Sequence, residues 1–176
     1  MKAASTSGTS LTKSEPFKTF VTFRIVGDDL NPNQITEFLK IKPTTSYRKG
    51  ERYYGGDKSV NLLGRTGVWY LSTDQYIESK NLSDHFAFLL MSLLIRGQNN
   101  ARAADSVQLA TNLFDLKRLL DENSLRATIT CFWYGTAGSK KPSIPDTVTN
   151  IFKLVGAEIE SDFDTDESPP ALLATS

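Results

Sequence analysis

The imidazole and thiol side chains, the two that most often carry proton transfer or nucleophilic attack, occur once each in this 176-residue chain, as His85 and Cys131. Single copies exclude a disulfide framework, a zinc finger and any metal centre that needs two Cys or His ligands. A lone imidazole becomes a general base only when it meets a nucleophile or is oriented by a carboxylate. His85 stands in the first turn of an apolar segment, beside Asp84. Cys131 alternates with Ile129 and Trp133, so its thiol reads as a small core group and not as a reactive thiolate. Trp69 and Trp133 read as core residues as well. No catalytic residue is assigned, and no metal or cofactor is expected.

Three further clusters could bind a ligand. Tyr47, Arg48, Lys49, Arg52, Tyr53 and Tyr54 interleave cations with aromatic rings. That mixture suits stacking on bases and pairing with phosphates. It equally suits a protein interface, where Tyr and Arg are favoured anchors, or a plain hairpin with one aromatic face on a sheet. Asp162, Asp164 and Asp166 resemble the start of a calcium loop, but the sixth and twelfth positions hold Glu167 and Leu173 where that loop needs Gly and a bidentate Glu. The run reads instead as a solvated edge strand whose charges deter sheet-to-sheet association. Gly135, Gly138, Lys140 and Lys141 share a strand-to-helix loop, yet the glycine spacing is not that of a P-loop, and the two-helix context of a KH clamp is missing. A surface loop is the expectation there.

These groups are carried by a chain that is 39% apolar and 23% charged, the composition of a globular domain. Twenty basic residues balance twenty acidic ones, so no global field draws the chain to nucleic acid or anionic lipid. The charge is nevertheless divided. Residues 1–70 hold 11 basic and 6 acidic side chains, and residues 71–176 hold 9 and 14, a net +5 against −5. The longest apolar stretch, 86–95, is broken by Ser92 and falls well short of the ~20 residues that a membrane span requires. Residues 1–15 lack the apolar stretch of an export signal, and with a single thiol this points to the cytoplasm.

Alternation in 20–26 predicts a half-buried strand with Val21, Phe23 and Ile25 inward. Asn31 and Pro32 open a helix that Lys42-Pro43 should end. Residues 44–65 form a long hairpin or a mobile loop around the turn pair Gly55-Gly56, and 67–72 a short strand. A helix capped by Ser83 runs to about Ile95, apolar nearly all round. Residues 97–104 link it to a helix capped by Asp105, with Gln108 placed to bond back and with Val107, Ala110, Leu113, Phe114 and Leu120 inward. Residues 125–134 form the clearest strand. Ser143 and Pro145 start a helix that stops at Gly156, and 157–163 form a last strand with Glu158, Glu160 and Asp162 outward. The expected fold is α+β: a single two-layer sandwich, a mixed sheet with helices mostly on one face, possessing a candidate duplicated βαβ unit. The single domain spans 17–167, between flexible tails 1–16 and 168–176.

The run Gly-Asp-Asp-Leu-Asn-Pro-Asn-Gln-Ile-Thr over 27–36, continuing through Leu39, Ile41 and Pro43 to Thr44, resembles the leading motif of a bacterial family known as domain of unknown function 4279. Lys49-Gly50, then Gly67, Trp69, Leu71 and Ser72, then Gly156, Ala157 and Ile159, are similar to its later motifs, although Ser161 stands where the family usually has an aliphatic residue. The resemblance implies domain boundaries and no activity.

Without a catalytic constellation, the expected role is a small non-catalytic interaction module, in its concrete version an immunity-type inhibitor of a toxin. A basic protein is the expected partner, and nucleic acid and membrane are not. The binding candidates are Tyr47, Arg48, Lys49, Arg52, Glu158, Glu160 and Asp162. The alternative is a ligand- or nucleotide-binding domain that uses 47–54.

Overall fold

The computed structural model describes residues 18–54, 61–94, 106–136 and 138–165. The expected tails, the Gly55-Gly56 turn, the link 97–104, the Asp105 cap, Ile95, Asp166 and Glu167 lie outside the described residues, as do the side chains of Val107, Gln108 and Ala110. The elements are β1 (Lys18–Gly27), α1 (Pro32–Leu39), β2 (Thr45–Tyr47), β3 (Arg52–Tyr54), β4 (Asn61–Leu63), β5 (Gly67–Ser72), α2 (Leu82–Leu94), α3 (Ser106–Glu122), β6 (Arg126–Gly135), α4 (Asp146–Leu154) and β7 (Glu158–Thr165), with one 3-10 turn, Thr73–Gln75, after β5.

Five strands form one mixed sheet in the order β2-β5-β1-β6-β7. Only β6 and β7 pair in parallel. The alternation in β1 and β6 sends Val21, Phe23, Ile25, Ile129 and Cys131 to one face, where they are fully or almost fully buried. Ile35 and Leu39 of α1, Phe86 and Leu89 of α2, Leu113 and Leu116 of α3, and Phe152 of α4 complete the same apolar cluster. The helices thus sit on one face of the sheet, as the alternating strands require.

Several local expectations need correction. Helix α1 stops at Leu39, ahead of Lys42-Pro43, because Lys40 turns left-handed (φ 56°) and its N–H bonds back to the Thr36 carbonyl at 2.8 Å. Ser83 does not cap α2 but lies inside it; the helix begins at Leu82. That helix is not buried all round, since the sheet covers one side only: His85, Phe86, Leu89 and Leu93 are buried, while Ala87 and Met91 face out. On α3 the buried stripe runs Leu113, Leu116, Leu120, at helical spacing, and Phe114, one step round, is 64% exposed. The irregular stretch 44–65 supplies an edge strand, β2, and a separate two-stranded ladder of β3 with β4. The two βαβ units share polarity but not adjacency. In β6-α4-β7 the strands are neighbours, whereas β5 lies between β1 and β2 and runs antiparallel to both.

Candidate functional site

The register shows what lies on the face opposite the helices. One row across the sheet reads Asp162, Phe132, Phe20; the next reads Glu160, Thr130, Thr22, Ser72; a third reads Glu158, Thr128, Arg24, Tyr70, Thr45. Paired residues share a face, so these rows form a continuous surface. None of these residues belongs to the helix-side cluster. Toward the Lys18 end of this face Phe20 and Phe132 stack with centroids 4.4 Å apart, both half-buried, and the Lys18 ammonium sits 4.7 Å from the Phe20 centroid. Beside them is a groove of about 280 Å3, lined by Phe20, Phe132, Trp133, Tyr134, Asp162, Asp164 and Lys18.

Strand β7 forms one edge of this face. Its parallel pairing with β6 puts Glu158, Glu160, Asp162 and Asp164 in a line, all exposed. Among the described residues none of the four carboxylates is ion-paired. Like charges at alternate positions repel one another, so the row is not explained by stability. Lys141 crosses to this edge, and its ammonium donates to the Phe163 carbonyl at 2.8 Å, holding the loop after β6 against β7.

The basic–aromatic segment lies at the far edge, four strand spacings or about 19 Å away. Tyr47 pairs with Val68 and therefore shares the face opposite the helices with Arg24 and Tyr70. Tyr53 stacks on it at 4.0 Å. Burial, and then Tyr53, push the Tyr47 hydroxyl above its ordinary range. The Arg48 guanidinium donates to Asn31 Oδ1 at 2.9 Å, and Lys49 binds Asp28, whose carboxyl it holds below the ordinary value, with help from Thr66. Two of the three cations are thus engaged within the chain, and the rings pack on each other instead of standing apart for bases. Arg52 is exposed on β3, opposite Leu63, itself 62% exposed. The two groups of binding candidates consequently flank one face and do not converge.

The residues with catalytic chemistry are used internally. His85 is fully buried, with Nδ1 2.7 Å from Thr73 Oγ1 and Nε2 3.0 Å from the Ser79 carbonyl. A carbonyl only accepts, so Nε2 carries the proton and Thr73 donates to Nδ1. Thr73 Oγ1 in turn accepts the Val21 N–H at 2.9 Å. Both ring nitrogens are engaged, which leaves neither to activate Cys131. That thiol is buried, and burial pushes it up to about 12. Asp162 and Asp164 stand two apart on an extended strand and form no cage. In the Gly-rich loop, Thr136 and Ser139 bond to each other at 2.7 Å and Gly138 is left-handed (φ 79°).

Sequence reasoning missed Phe20, Phe132 and Tyr134. The signal was present, because the alternation that sends Ile129, Cys131 and Trp133 inward sends Thr130, Phe132 and Tyr134 outward.

The profile of a family described as a domain of unknown function (DUF4279) matches residues 16–166, most of the chain. No curated protein and no solved structure matches it.

Proposed function

The chain belongs to that family of unknown function, and from the sheet face opposite the helices we propose that it is a non-catalytic interaction module that docks a basic protein. One observation carries the reading: on the sheet face opposite the helices a stacked pair of aromatic rings borders an edge strand with four exposed carboxylates, none of them ion-paired among the described residues. A partner's lysine or arginine entering the groove beside Phe132 would meet aromatic surface together with Asp162 and Asp164. The self-repulsion of the row would become attraction, speeding encounter and fixing orientation. An immunity-type inhibitor is the concrete form. A toxin that acts on nucleic acid needs a basic surface to bind phosphates, and an acidic row is its complement. Such a role belongs in the cytoplasm. Among the described residues no helix is long and apolar enough to cross a membrane.

The test compares two charge-reversed variants against a partner recovered by pulldown. Changing Glu158, Glu160 and Asp162 to Lys should leave folding intact, since exposed substitutions shift stability by about 0.5 kcal/mol or less each. It should slow association about tenfold or more at low salt and flatten the salt dependence. Reversing Arg48, Lys49 and Arg52 should do less. Lost binding in the second variant with normal binding in the first would overturn the reading in favour of an anionic ligand at 47–54.

A further inference from the structure

Strands β1, β6 and β7 carry opposite charges at matching heights. On the face opposite the helices, Asp164, Tyr134 and Lys18 form one row, and further along the strands Glu158, Thr128 and Arg24 form another. In both rows an acid on β7 and a base on β1 flank a residue of β6, and all four charged side chains are exposed. Between the two rows lie Asp162, Phe132 and Phe20, with the two rings stacked. Strand β6 is therefore the midline of a patch that is negative on one side and positive on the other. Acid and base of one row stand two strand spacings apart, about 10 Å. Among the described residues neither row closes an ion pair of its own; Lys18 lies 3.6 Å from Asp74 and keeps a largely exposed side chain.

We infer that this patch binds a second copy of the chain about a two-fold axis lying along β6. Such an axis turns the face over and exchanges its two sides while keeping height along the strands. Strand β7 of one copy then lies over β1 of the other, row upon row. Asp164 meets Lys18 of the second copy, Glu158 meets its Arg24, both pairs occur twice, and Phe132 lies over its own counterpart. Stacked sheets lie about 10 Å apart and cross at about 30°, which displaces facing rows by only about 2–3 Å at one strand from the axis, within the reach of Lys and Arg side chains. Other axes fail on charge. An axis along β1 sets Lys18 on Lys18 and Arg24 on Arg24, and one along β7 or across the strands sets acid on acid, a costly juxtaposition. Seven residues on each of three strands cover roughly 23 Å by 14 Å, far below the ~800 Å2 per partner of a stable complex. The dimer is accordingly weak, reversible and held mainly by charge. The inference does not rest on docking of a basic protein, which would compete for the same carboxylates.

Sedimentation velocity of the purified full chain tests this with no partner present, so its failure would leave the docking of a basic protein standing. At low salt, raising the protein from about 10 μM to about 1 mM should move it from monomer toward dimer, with Kd on the order of 100 μM for so small an interface. Salt at about 0.5 M should weaken the dimer at least fivefold. Arg24→Glu and Glu158→Arg, both at exposed positions, should keep the circular dichroism of the folded protein. Each should weaken association at least fivefold, because every pair at that end becomes a contact of like charges. Mixed in equal amounts, the two variants should associate again, since each altered side chain then faces its opposite on the other copy. Lys18→Glu and Asp164→Lys give the same comparison at the other end should either of the first two fail to fold. A wild type that stays monomeric at about 1 mM, association insensitive to salt, unchanged association in the folded single variants, or a mixture that associates no better than its components would each overturn the inference.

Discussion

Replacing Thr73 by Val tests whether the single histidine is structural. Strand β5 ends at Ser72, which pairs with Thr22, so the next amide of β1 along that edge, at Val21, has no backbone partner on β5. The hydroxyl of Thr73 takes its place, accepting the Val21 N–H and donating to His85 Nδ1. Val21, Thr73 and His85 are all 0% exposed. Valine keeps the shape and removes the oxygen, which leaves two buried polar groups without partners. Each such orphan costs about 1–3 kcal/mol, so Thr73→Val should cost about 2–6 kcal/mol. Against a total of about 5–15 kcal/mol that is a large fraction of the stability. Thr73→Ser keeps both hydrogen bonds and loses one methyl, for about 1 kcal/mol. Urea denaturation followed by circular dichroism should show the midpoint falling in the order wild type, Ser, Val, with the slope unchanged. If valine proved no more damaging than serine, the hydroxyl would not be the group that joins β1 to His85, and the account of His85 as a structural residue would fail.

Other expectations follow from particular positions. Lys40 is left-handed at the end of α1, so Lys40→Gly should stabilise by about 0.5 kcal/mol and raise Tm by about 1–2 °C in a thermal scan. Leu116→Ala should cost about 2–5 kcal/mol, whereas Phe114→Ser on the same helix should stay within about 0.5 kcal/mol, and denaturation of the pair separates the buried stripe from its neighbour. With the Cys131 thiol pushed up to about 12, only about one molecule in 10,000 is thiolate at pH 8. An aromatic disulfide reagent should therefore leave the native protein unmodified over hours and react within minutes in 8 M urea. Fast labelling of the native protein would contradict the burial of that strand face.

Much of the fold was legible from local patterns. The alternation in β1 and β6, the Asn31-Pro32 start of α1 and the Gly156 stop of α4 each follow from a backbone rule that acts within a few residues, and each occurs as expected. Local rules failed where a neighbour in sequence competes with a neighbour in space. Phe114 is as apolar as Leu113, and only the placement of α3 against α2 and α4 decides which of them is covered. Residues 44–65 carry no period because their strands are three residues each, too short to alternate.

The candidate site divides in the same way. The carboxylate row of β7 could be read from sequence, because side chains two apart on a strand share a face whatever surrounds them. Residue identity likewise settled that neither a second histidine nor a second cysteine exists for a metal or a dyad. The tertiary structure alone decided that the row borders a stacked Phe20–Phe132 pair, that Arg48 and Lys49 are tied to Asn31 and Asp28, and that Arg24 shares a row with Glu158. Those neighbours are far apart along the chain, and their meeting depends on strand order and helix placement, which are set by the burial of apolar faces across the whole domain and not by the spacing of any one motif.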